Sequence, residues 1–139
     1  MSLTYTNQIK LVLDGIEKLI EDEFDIPVMD IHKGNESFVI NPIEDTLEEM
    51  LSTAHIRNYD FSIIYTMVQG EDFVQIKDHL TNRAERLKRL LFNNTVYDDG
   101  ADRIWYDGQV PSIIYSQSED DPSMWIAEIL FSCSTMEII

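Results

Sequence analysis

Residues 59–92, YDFSIIYTMVQGEDFVQIKDHLTNRAERLKRLLF, carry two periods in succession. YDFSIIYTMV (59–68) is dense in aromatic and β-branched side chains and reads as a strand. Tyr59, Phe61, Ile63, Tyr65 and Met67 share one face, and Ser62, Ile64, Thr66 and Val68 share the other. The spacing then turns helical. Phe73, Ile76, Leu80, Ala84, Leu87 and Leu91 form an apolar stripe from about Asp72 to Phe92, with Asn93-Asn94 as the stop. A strand that buries one face, followed by a helix with one apolar stripe, predicts a layered packing of helix on sheet.

The flanks fit this plan. Upstream, Ile9, Val12, Leu13, Ile16, Leu19 and Ile20 predict an amphipathic helix from Leu3 to about Glu23, with Thr4 or Thr6 as N-cap and Asp25 and Pro27 as the stop. PVMDIH (27–32) and SFVI (37–40) read as short strands around a Lys33-Gly34-Asn35 turn, the second ended by Pro42. Residues 44–52 are acidic and ambiguous. Downstream, RIWYDGQVPSIIYS (103–116) predicts a hairpin turning at Asp107-Gly108, bulged or at an edge near Pro111. A closing strand alternates Trp125, Ala127, Ile129, Phe131 and Cys133 against Ile126, Glu128, Leu130, Ser132 and Ser134. The predicted fold is α+β: one two-layer domain over residues 1–139, a mainly antiparallel sheet with two long helices packed on one face.

Composition narrows the function classes. A chain of 139 residues buries roughly two-thirds of its unfolded surface, enough for a core without staples. Acidic residues outnumber basic ones 26 to 10, a formal net charge of −16. That field disfavours a general nucleic-acid or membrane-surface binder. Cys133 is the lone cysteine, so no intrachain disulfide framework exists. The opening MSLTYTNQIK carries no apolar signal core, and no run is long and apolar enough for a span, so the reading is a soluble intracellular protein.

No catalytic motif survives a spacing test. The glycines form no phosphate cradle and no nucleophile elbow. His32, His55 and His79 lack zinc spacing and read as structural. The loop Asp98-Asp99-Gly100-Ala101-Asp102 fails the ligand spacing of a calcium loop. The expectation is a non-enzyme with no cofactor and no metal.

Charge placement is the most informative feature. Lys77, Arg83, Arg86, Lys88 and Arg89, five of the ten basic residues, fall on the second helix. Acidic residues crowd the loops at Asp98, Asp99 and Asp102 and at Glu119, Asp120 and Asp121. One reading is a solvated helix whose C-terminal cations answer its dipole. The other is a polar protomer whose basic helix meets a neighbour's acidic loops head to tail, closing a ring if the rotation allows. On that reading these eleven residues are subunit-interface or lumen positions, and charge reversal at Arg86 with Arg89 weakens assembly while sparing the fold.

Four segments carry a resemblance: the helix NQIKLVLDGIEKLIED (7–22), the strand YDFSIIYTMV before the basic helix VQIKDHLTNRAERLKRLLFNN (74–94), the segment WYDGQVPSIIYS (105–116), and the closing strand MWIAEILFSCST (124–135). Together they cover most of the chain, which resembles the bacteriophage tail terminator (tail completion) family. The resemblance implies a virion protein that forms a homohexameric ring, docks on the tail-tube protein, stops tube polymerisation and offers a surface to the head–tail connector. It implies no catalytic residues. The alternatives are another phage neck protein, such as a head-completion or stopper ring, and a small acidic adaptor or inhibitor of a host protein.

Overall fold

The computed structural model describes residues 2–70 and 75–138. Over these the chain runs α1 (Gln8–Phe24), β1 (Glu36–Met50), β2 (Ala54–Val68), α2 (Ile76–Phe92), β3 (Tyr97–Asp99), β4 (Asp102–Gln117) and β5 (Met124–Ile138). The five strands form one sheet in the order β1-β2-β5-β4-β3 with every neighbour antiparallel. Both helices lie on one side of it, the α+β arrangement expected from the sequence. No helix among the described residues is long and apolar enough to cross a membrane.

The alternation in β2 does what its period requires. Tyr59, Phe61, Ile63, Tyr65 and Met67 are all buried on the helix side, facing Ala127, Ile129, Phe131 and Cys133 of β5. Val12, Ile16, Ile20 and Phe24 of α1 and Leu80, Ala84, Leu87 and Leu91 of α2 close the same core. Trp105 sits at its centre: its indole N–H donates to the Asn94 carbonyl at 2.8 Å, and its ring meets Phe131 edge-on at 5.7 Å. Gly15 lets α1 press onto this ring. A Cβ there would lie 2.9 Å from Trp105 Cζ3 and 2.8 Å from Tyr97 Cε1.

Several boundaries differ from the sequence reading. The first helix begins at Gln8 rather than Leu3, and Asn7 is its N-cap, accepting the Lys10 N–H at 3.2 Å in place of Thr4 or Thr6. Asp25 does end it, in the left-handed region at φ 55°. PVMDIH forms only one isolated bridge, Val28 with Phe38. Pro42 does not end β1, which runs on to Met50 through a register shift between Pro42 and Glu44. An edge strand tolerates the missing N–H, because no neighbour waits for it. Asp107-Gly108 is not a hairpin turn either: β4 is continuous there and bulged, with Asp107 at φ 52° and the Gly108 N–H turned to the Thr95 carbonyl. The turn is made instead by the acidic segment between β3 and β4, around Gly100 at φ 65°. The expected helix start at Asp72 and the stripe residue Phe73 lie outside the described residues.

Candidate functional site

The cations of α2 divide by what they touch. Arg86 is bound inside the protomer: its Nε donates to Glu23 Oε1 and its Nη2 to the Glu23 carbonyl, both at 2.9 Å, with the guanidinium 5.0 Å from the centre of the Phe24 ring. It fastens the last turn of α1 to α2 and satisfies a carbonyl the helix end leaves open. Arg83 lies 5.8 Å from the same ring and reaches Glu36 Oε1 at 3.5 Å. Glu36 is the hub of a polar knot, for it also accepts from the Tyr65 hydroxyl and lies 3.2 Å from His79 Nε2. His79 also lies 3.0 Å from the Tyr65 hydroxyl.

Lys77, Lys88 and Arg89 face outward. Lys88 holds Glu85 at 2.6 Å, one turn away on the same helix and exposed, so that pair contributes little and parts easily. Arg89 is exposed in the last turn of α2, where the helix dipole favours it. Lys77, also exposed, borders a small cavity with Tyr115 and Trp125.

The acidic loops do not converge. Asp99 and Asp102 close the β3–β4 turn, and Asp98 accepts from Arg103 Nε at 3.0 Å. Glu119 and Asp120 are exposed, while Asp121 accepts from the Ser123 N–H and hydroxyl within its own turn. These loops stand at opposite ends of the sixteen-residue β4, roughly 45–50 Å apart at about 3.3 Å per residue. The two loops therefore do not form one acidic surface.

Two surfaces went unseen in the sequence. The first is an arm. Residues 41–50 of β1 are all exposed, and the β1–β2 hairpin presents Leu47, Met50 and Leu51 to solvent at its tip among Glu44, Asp45, Glu48 and Glu49. Asp45 is answered by Arg57 at 2.8 Å and Glu48 accepts from the Ser134 hydroxyl, which leaves Glu44 and Glu49 without an ion-pair partner among the described residues. Leu47, Met50 and Leu51 fit a helical spacing as well as a strand, so the sequence pattern there was double-valued.

The second is a groove of about 480 Å³ between the C-terminal turn of α2 and the β4 bulge, lined by Leu91, Phe92, Val110, Lys88, Asp107 and Gln109 among others. Phe92 is 68% exposed at its rim. From Gln109 to Gln117 the free side of β4 carries no charged residue, unlike the acidic β1 edge across the sheet.

Burial pushes the Cys133 thiol up to about 12, so it is held as an inert thiol rather than a nucleophile. Burial also raises Tyr59 and Tyr65, helped by the Glu137 and Glu36 carboxylates that their hydroxyls face. Among the described residues no group of three His, Cys, Asp or Glu side chains converges as a metal site. No protein-family model matches the chain, and no curated protein matches it in sequence.

Proposed function

We propose that this chain is a self-assembling structural protein of the phage tail terminator type, which caps a tail tube as a homo-oligomeric ring in the virion and offers its far side to a head–tail connector. The observation that carries this is the unlikeness of the two sheet edges. One edge is the acidic β1; the other, beyond the short β3, is the stretch 109–117 of β4, which carries no charge and is flanked by the outward cations of α2. Unlike edges on one protomer suit head-to-tail contact, and a head-to-tail contact that closes makes a ring. Such a protomer ends tube growth by matching the tube's last ring on one face and failing to repeat that interface on the other. The order of elements and the resemblance of the four segments supply the tube as the partner; charge supplies the manner of contact.

The test is growth of the tail-tube protein with and without this chain, read as tube length by electron microscopy. Tubes that shorten as the chain is added, each carrying a ring at one end, support the reading. Unchanged tube lengths at saturating chain overturn it. A second reading, an acidic decoy for a nucleic-acid-binding host protein, draws on the net charge of −16 and on the exposed carboxylates of β1 and the two acidic loops. Competition with DNA for a host protein, by a chain that stays monomeric, favours that one.

A further inference from the structure

We infer that the tip of the β1–β2 arm of one protomer seats in the α2–β4 groove of the next, Met50 and Leu51 filling the cavity while Glu49 faces Lys88 and Arg89 beside it. This deepens the ring reading above and rests on it.

The arm needs a partner. Beyond Pro42 every β1 residue is exposed, and the tip places Met50 65% and Leu51 38% open to water at a turn closed by the Leu51 N–H to the Ala54 carbonyl. β2 is paired to β5 as far as Ala54, so the tip is held in the sheet, but an acidic edge strand ending in exposed methionine and leucine is poorly explained as solvated surface. The groove needs an occupant of matching chemistry. Its walls of Leu91, Phe92 and Val110 are apolar, and its volume of about 480 Å³ falls within the ~300–1,000 Å³ of recognition pockets.

Charge selects between the surfaces. The arm carries four carboxylates over residues 44–49, and the groove rim carries Lys88 with Arg89 exposed beside it. The exposed Lys88–Glu85 pair yields to a new partner at small cost. Asp107 is the one carboxylate lining the groove, on the bulge side rather than on α2.

The protomer cannot satisfy itself. The arm belongs to the β1 edge and the groove to β4, three strand steps away in the order β1-β2-β5-β4, or roughly 14 Å at ~4.8 Å per step. The contact is therefore between copies, and it joins different surfaces of the two. Repeated around an axis it gives a closed ring; without closure it gives a filament.

The experiment combines light scattering after size exclusion with directed cross-linking. Leu51→Asp on the arm and Phe92→Ser on the groove are compared with the parent chain, folding being checked by circular dichroism. Both sites are exposed, so each variant is expected to fold. Each is expected to raise the self-dissociation constant by roughly 30-fold or more, the size of a lost anchor. In a Cys133→Ser background, Met50→Cys in one preparation and Val110→Cys in another are mixed and treated with a short bis-maleimide. A cross-linked pair in the mixture and in neither preparation alone supports the contact. Oligomers that persist in both variants with no cross-link overturn it and leave the ring reading to the tube-length assay. A chain monomeric at every concentration overturns it as well, and shortened tubes would still uphold the cap.

Discussion

Replacing Arg86 with alanine removes three contacts at once: the ion pair to Glu23, the hydrogen bond to the Glu23 carbonyl, and the guanidinium over Phe24. Arg86 and Glu23 are 45% and 41% exposed, so solvent screening holds the ion pair to about 0.5 kcal/mol. The carbonyl bond contributes about 1 kcal/mol and the ring contact ~0.5–1 kcal/mol. Arg86→Ala is therefore expected to cost about 2 kcal/mol, which at this chain length lowers the melting temperature by roughly 6–8 °C. Arg89→Ala, at an exposed side chain with no ion pair among the described residues, is expected to stay within ~0.5 kcal/mol of the parent. Its effect should fall on self-association instead. The assay is denaturant unfolding followed by Trp105 and Trp125 fluorescence, repeated at two protein concentrations because association raises apparent stability by mass action. An Arg86→Ala chain that unfolds with its parent but no longer associates would refute the tie between α1 and α2, and would assign Arg86 to a contact between copies instead.

Two more perturbations test the core. Gly15→Ala sets a helix-propensity gain of about 1 kcal/mol against overpacking on Trp105, whose ring is pinned by Asn94 and Phe131. A net loss of ~1–2 kcal/mol is expected by thermal unfolding, and a stabilised variant would mean that α1 stands further from the sheet. Cys133 should resist iodoacetamide in the folded chain and react fully in guanidinium. Because folding raises its pKa from 9.0 to about 12, its contribution is intact below pH 9 and is lost as pH climbs toward 12, about 4 kcal/mol in all. Cys133→Ala should blunt the alkaline unfolding limb, and unchanged alkaline sensitivity would place the effect on the tyrosines alone.

What the sequence made legible is whatever depends on one element's own period. The buried faces of β2 and β5 and the stripes of both helices follow from spacings of two and of three or four, and from Ile76 onward in α2 the structure places them as read. What stayed hidden depends on a neighbour. Asp107-Gly108 between apolar runs is the strongest short hairpin signal, yet the Gly108 N–H finds Thr95 and β4 continues. Pro42 breaks a central strand but not an edge strand, and only the sheet order makes β1 an edge. Arg83 and Arg86 read as surface charge because their partners Glu36 and Glu23 lie 47 and 63 residues away. At those two positions the cations are paired within the chain, Arg86 still 45% exposed, while Lys77 and Arg89 carry no ion pair among the described residues.

The placement of charge also bears on how copies can meet. An isologous contact of β1 with β1 sets Glu44, Asp45, Glu48 and Glu49 against their own images, with Arg57 spent on Asp45, and like charges opposite one another in a ladder destabilise it. An isologous contact of β4 with β4 escapes repulsion but meets another obstacle. Pro111 donates no hydrogen bond, and the register shifts between Tyr106 and Gln109 and between Gln109 and Ser112 bend the strand away from a flat partner. Each edge is protected from its own kind by a different device, one electrostatic and one geometric. Neither device would act in the contact proposed above: there the carboxylates of β1 would lie beside Lys88 and Arg89, and an arm docking by side chains would not depend on a backbone donor at Pro111. On the ring reading proposed above, a protomer of net charge −16 that avoids both symmetric pairings would have its association directed head to tail, and the angle of that contact would decide between a ring and a fibre.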